Sequence, residues 1–255
     1  MKYIKNFEHI SRRRSSKRSL IFKRCYQLVL GTVLLTLPLN PVQAQQYIPP
    51  TGDPPQTATG SNGSRGNCQG DHGVPLTGLA PALTNHVGQT ATTTPTFAWF
   101  VPTTQPYRIQ LSLYTIDQAD LLYEVVYVGS TSEMISSLTI PEEVILESDQ
   151  RYLWEINLSC DLDSPTYPEF FITEVDIVSP SADLKNALAL AQTPLEQVAL
   201  YAEAGYWYDA LNAALGDPEG SSFVQSLLSD LAADETGLQR QYLSKIAEIM
   251  GQGDR

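Results

Sequence analysis

Arg151-Tyr152-Leu153-Trp154-Glu155-Ile156-Asn157-Leu158-Ser159-Cys160 is the stretch that decides the fold. Tyr152, Trp154, Ile156 and Leu158 alternate with Leu153, Glu155, Asn157 and Ser159. A period of two is a strand with one buried and one solvated face. Cys160 continues the apolar set, so its sulfur points to the core. Working outward, residues 96–101 place Phe97 and Trp99 on one face. Residues 107–115 alternate Ile109, Leu111 and Leu113 against Arg108, Gln110 and Ser112. Residues 122–128, 137–140 and 170–178 read as further short strands, with Pro and Gly between them. Several short antiparallel strands separated by turns predict an all-β sandwich of the immunoglobulin or fibronectin kind over residues 68–179.

From Ser181 the period becomes helical. Leu184, Ala187, Leu188 and Ala191 form one stripe, with Ser181 as N-cap. Thr193 caps a second helix and Pro194 takes its first position. Gly205 ends that helix, and Tyr206 to Leu215 begins another. Two more amphipathic segments follow, from Ser222 to Ala233 and from Gly237 to Met250. Such short helices are marginal alone and need packing. The expectation is a small helical domain over residues 180–250, made of helical hairpins. Residues 201–211 loosely resemble the middle of one tetratricopeptide repeat.

The chain begins as an export signal. Lys2, Lys5, Arg12, Arg13, Arg14, Lys17, Arg18, Lys23 and Arg24 precede an apolar run from Leu28 to Leu37, and Val42-Gln43-Ala44 supplies small residues for cleavage. The run is about 10 residues, against the roughly 20 that span a bilayer. Residues 1–44 are therefore expected to be a cleaved signal peptide, with delivery to the periplasm or extracellular space and no membrane span afterwards. Nine of the 16 Lys and Arg lie in that signal, against one of the 28 Asp and Glu. Its removal leaves 7 basic and 27 acidic residues, a net charge near −20 instead of −12. Such a surface repels nucleic acid. Residues 45–67, rich in Pro, Gly, Ser and Thr, are expected to be a disordered linker. Cys68 and Cys160 are the two cysteines beyond the signal, and in an oxidising compartment they are expected to form a disulfide.

Several pieces taken in order resemble one family. They are Arg65-Gly66-Asn67-Cys68, Leu76 to Pro81, Pro95 to Pro102, Tyr152 to Ile156, Cys160 and Tyr201 to Leu211. Together they resemble the DUF928 family, exported and mostly cyanobacterial proteins of unknown function. The resemblance covers residues 65 to about 232. It implies a cyanobacterial envelope or extracellular location and supplies no catalytic residue.

Chemistry has few candidates. His72 follows Asp71, but no nucleophile elbow accompanies the pair. Asp161 and Asp163 are alternating carboxylates that a calcium ion would suit, without the glycine and distal glutamate of an EF-hand. Glu142, Glu143 and Asp149 would be a glycosidase pair only with a supporting motif. Tyr206, Trp207 and Tyr208 cannot all face inward on one helix, since neighbours differ by about 100°, and they mark a candidate partner surface. The reading is a non-enzymatic interaction or structural module with no catalytic residue and no cofactor. Its expected partner is an envelope protein or glycan. The alternatives are a hydrolase or carbohydrate-binding accessory protein using the acidic loops, or a calcium-stabilised envelope domain.

Overall fold

The structure is a computed structural model that describes residues 46–61, 68, 72–117, 120–130, 134–163 and 166–252. The expected signal peptide lies outside the described residues. Nine strands precede five helices among the described residues. The strands are β1 (Gly60–Ser61), β2 (Thr77–Gly78), β3 (Gly88–Thr90), β4 (Thr96–Phe100), β5 (Tyr107–Thr115), β6 (Leu121–Gly129), β7 (Ile135–Thr139), β8 (Gln150–Ser159) and β9 (Glu169–Ile177). The helices are α1 (Ala182–Leu190), α2 (Pro194–Glu203), α3 (Trp207–Leu215), α4 (Ser221–Asp234) and α5 (Gly237–Gln252).

The strands form two open sheets. The larger runs β1-β9-β8-β5-β6, with β3 added parallel to β9; the smaller runs β2-β4-β7. All other pairings are antiparallel. Register follows the side-chain pattern. Leu113, Leu111 and Ile109 of β5 oppose Trp154, Ile156 and Leu158 of β8, so the apolar faces coincide. Across the gap, Phe97 of β4 stacks on Trp154 at 4.6 Å and 15°. The tight approach of the sheets requires glycine at 78, where a Cβ would stand 2.1 Å from the Phe171 ring. Where β7 leads into β8, the Tyr152 hydroxyl accepts the Glu147 N–H at 2.8 Å. Cys68 and Cys160 are disulfide-bonded, with Cα atoms 5.2 Å apart.

The change from strand to helix near residue 180 is not a break in the core. Buried residues from Cys68 to Ile249 form one continuous cluster. Side chains of the helices reach the loops before β4 and saturate their backbone groups. Trp207 Nε1 donates to the Leu79 carbonyl at 2.8 Å, and Gln239 Nε2 to that of Gly78 at 3.1 Å. Glu235 accepts the N–H groups of Ala82 and Leu83 at 2.6 and 2.9 Å, and Asp209 accepts that of Ala91 at 2.8 Å. Each buried backbone group paired in this way avoids a desolvation cost of about 1–3 kcal/mol.

The expected linker is corrected in its described part. Residues 46–61 form a strap lying against the fold. Tyr47 is buried, with its ring edge-on to Trp207 at 5.0 Å. Ile48 N–H bonds to the Ala202 carbonyl, and Thr59 Oγ1 to that of Ala82. Gln56 and Thr57 donate three hydrogen bonds to Glu174 Oε1. Arg151 clasps the same place, paired to Glu174 at 3.1 Å and Asp176 at 2.6 Å and donating to the carbonyls of Asp53 and Pro54. Gly205, at φ +85°, turns α2 into α3 directly against the strap, 3.2 Å from the Ile48 carbonyl as measured from a built Cβ. A polar segment is held here by buried hydrogen bonds and one aromatic anchor, not by apolar area of its own.

Candidate functional site

The aromatic trio does not form a surface. Tyr206, Trp207 and Tyr208 are all buried, which corrects their expected role as a partner surface. The 100° spacing is accommodated because different neighbours cover different sides. Trp207 meets Leu79 and Tyr47, Tyr206 packs near Tyr201, and Tyr208 closes the sandwich core. The Tyr208 hydroxyl accepts from Trp154 Nε1 at 2.9 Å and donates to the Glu174 carbonyl at 3.3 Å. Burial pushes the Tyr208 phenol far above its ordinary range.

The other sequence candidates are scattered. His72 is exposed, and Asp71 lies outside the described residues. Asp161 and Asp163 are exposed in the turn after β8, where Asp161 Oδ1 accepts the Asp163 N–H at 3.1 Å. Glu142 and Glu143 are exposed. Asp149 sits at φ 61° and caps Ser179 N–H at 3.2 Å. Among the described residues no group of three or more His, Cys, Asp and Glu is placed to hold a metal ion.

One array that sequence reasoning missed has the connectivity of a proton relay. Asp234 lies 3.2 Å from His86 Nδ1, and the Tyr47 hydroxyl lies 3.3 Å from His86 Nε2. Burial lowers the His86 pKa, with the Asp234 charge opposing it. However, Tyr47 is sealed beneath Trp207 in the core. The array thus ties the strap to the fold through Tyr47.

An accessible concavity among the described residues lies elsewhere, between α1, α2 and α4. Ser181 Oγ caps α1 by accepting Leu184 N–H at 3.1 Å. Thr193 Oγ1 caps α2 through Glu196 N–H at 3.1 Å, and Glu196 reaches back to Gln192 N–H at 2.6 Å. These reciprocal caps stop α1 at an extended Ala191 and start α2 afresh. Of the α1 stripe only Leu184 is buried. Ala187, Leu190, Leu195, Ala199, Leu200 and Phe223 line an open groove of about 760 Å³, with Glu196 and Glu203 among its polar residues. Leu190 is 78 % exposed at its rim. The volume suits a ligand or peptide side chains, since such sites typically span about 300–1,000 Å³. The signal for it was present in the α1 stripe, whose apolar residues outnumber what the helix buries.

A family model for a Domain of Unknown Function, DUF928, matches residues 60–229. The chain belongs to the DUF928 family. The DUF928 match takes in both sheets, the disulfide and every groove residue named above. Tyr47 of the strap and α5 lie beyond the matched residues. A comparison with curated proteins finds no match.

Proposed function

We propose that this DUF928 protein is a non-enzymatic interaction module of the cell envelope or extracellular space, and that the groove between α1, α2 and α4 holds an apolar segment of a partner protein. The observation that carries the reading is the groove itself, open and mostly apolar, with Leu190 78 % exposed. Burying a leucine side chain is worth about 1.5–3 kcal/mol, so a partner that covers Leu190 gains directly. A lining dominated by apolar side chains, with Phe223 its one aromatic among the described residues, favours the apolar face of an amphipathic peptide. Export rests on the basic, apolar and small-residue order of residues 1–44.

The sandwich is an immunoglobulin- or fibronectin-like scaffold on this reading. Its strand order supports that: β2, β4 and β7 correspond to strands A, B and E, and β6, β5, β8 and β9 to C′, C, F and G. Tyr152, at the start of the F-like strand, bonds back to Glu147 as a tyrosine corner does. The disulfide differs from the antibody pattern, since Cys68 precedes the A-like strand.

Affinity capture from the native envelope tests the function. Wild-type protein should retain a partner that Leu190→Glu loses, with no change in melting temperature. Retention of the same proteins by both forms would remove the groove from the account.

A further inference from the structure

The larger sheet treats its two edges differently. Beyond β9 the chain supplies β1 and β3, so that edge is closed from within. At the other end stands β6, nine residues long, with no strand paired to its outer side among the described residues. Natural edge strands are usually blunted by charge, proline, brevity or a bulge. Leu121-Leu122-Tyr123-Glu124-Val125-Val126-Tyr127-Val128-Gly129 holds no lysine and no proline. Its single charge, Glu124, is engaged by Gln110 Nε2 of β5 at 2.6 Å. The one irregularity is a register shift at the β5–β6 pairing beside Leu113 and Tyr114, at the strand's beginning. Leu121, Val126 and Val128 are 52 %, 48 % and 62 % exposed.

The order of residues in β6 says what fits it. Folded antiparallel onto a second copy about its midpoint, Val125, the strand sets Tyr123 opposite Tyr127, while Leu122, at the register shift, stands outside the regular pairing. Val125 faces itself, and Glu124 faces Val126. Aromatic pairs and apolar pairs are the favourable cross-strand combinations, and like charges directly opposite are the unfavourable one. In this register the two glutamates never oppose each other. We infer that the protein self-associates through β6, joining two larger sheets into one continuous sheet about a two-fold axis. An isologous contact of this kind closes on itself and stops at a dimer. The inference does not depend on the groove, which lies on the helices.

Sedimentation equilibrium of the purified protein, with substitutions of opposite sign at Val126, tests the inference. Val126 is outward-facing, so both variants should keep the wild-type far-UV circular dichroism. Wild type should be a reversible dimer. Val126→Glu places like charges opposite Glu124 of the other copy twice over and should weaken dimerisation about tenfold or more. Val126→Lys places an ammonium opposite that carboxylate and should preserve or tighten the dimer. A wild type that is monomeric at every concentration would overturn the inference. So would a dimer that both substitutions leave unchanged, or that both weaken alike.

Discussion

Glu235 shows how single residues join the helices to the sheets. Its two oxygens accept the Ala82 and Leu83 N–H groups, yet burial outweighs those bonds and pushes its pKa up to about 7. Asp209, bonded to Ala91 N–H, is pushed up to about 6 for the same reason. A carboxyl whose pKa is higher folded than unfolded binds its proton more tightly when folded. It contributes stability that is complete below the unfolded value and lost as pH rises through the folded one. The windows are therefore pH 4.5 to about 7 for Glu235 and pH 3.8 to about 6 for Asp209. His86 acts oppositely: its lowered pKa gives stability that is present above 6.5 and lost as pH falls through the folded value. Chemical denaturation across pH 4.5–7 should show a component that declines with rising pH. Glu235→Gln should flatten that component by about 1–3 kcal/mol, while the descent attributable to His86 at the acid end persists. Unchanged pH dependence in Glu235→Gln would show that the carboxylate ionises at no cost.

At the scale of elements, the strands and the strap were unequally legible. Phe97, Trp99, Tyr152, Trp154 and Ile156 lie on buried faces that a period of two reveals, though β4 is buried on both faces and Leu153 on the expected solvated face of β8 is buried as well. The Ser181 and Thr193 caps were likewise readable, because hydroxyl caps act within three residues. The strap was not, since its attachment rests on backbone N–H groups at Gln56 and Thr57 meeting Glu174 more than a hundred residues away. Composition contains no trace of such bonds, and Tyr47 is a lone aromatic in a polar stretch. The strap makes a definite prediction. Tyr47→Ala empties a buried ring site and should cost about 3–5 kcal/mol, as aromatic truncations in cores do. It should also open residues 48–58 to limited proteolysis. An unchanged denaturation midpoint would mean that the strap rests on the surface without supporting it. The groove was half legible: the stripe of α1 predicts an apolar face, but that only Leu184 of it is covered depends on how the helices pack, which no local pattern shows.

For the molecule as a whole, one covalent link ties the entry segment to the end of β8. Cys68 and Cys160 are 92 residues apart in sequence, and in the chain-entropy model a closed loop of that size is worth up to roughly 4–5 kcal/mol. Thiol titration of the protein without residues 1–44 under denaturing, non-reducing conditions should find neither Cys68 nor Cys160 free, and reduction should lower the melting temperature. Two titratable thiols would refute the bridge. The α1–α2–α4 groove beside this stapled, continuous core is the place proposed for a partner. The direct test is a photo-reactive amino acid at position 190, in the full-length protein within cells that make it, with the same group at Lys185 as control. The account predicts discrete cross-linked adducts from 190 and none from 185. No adduct from 190, or the same adducts from both positions, would contradict it.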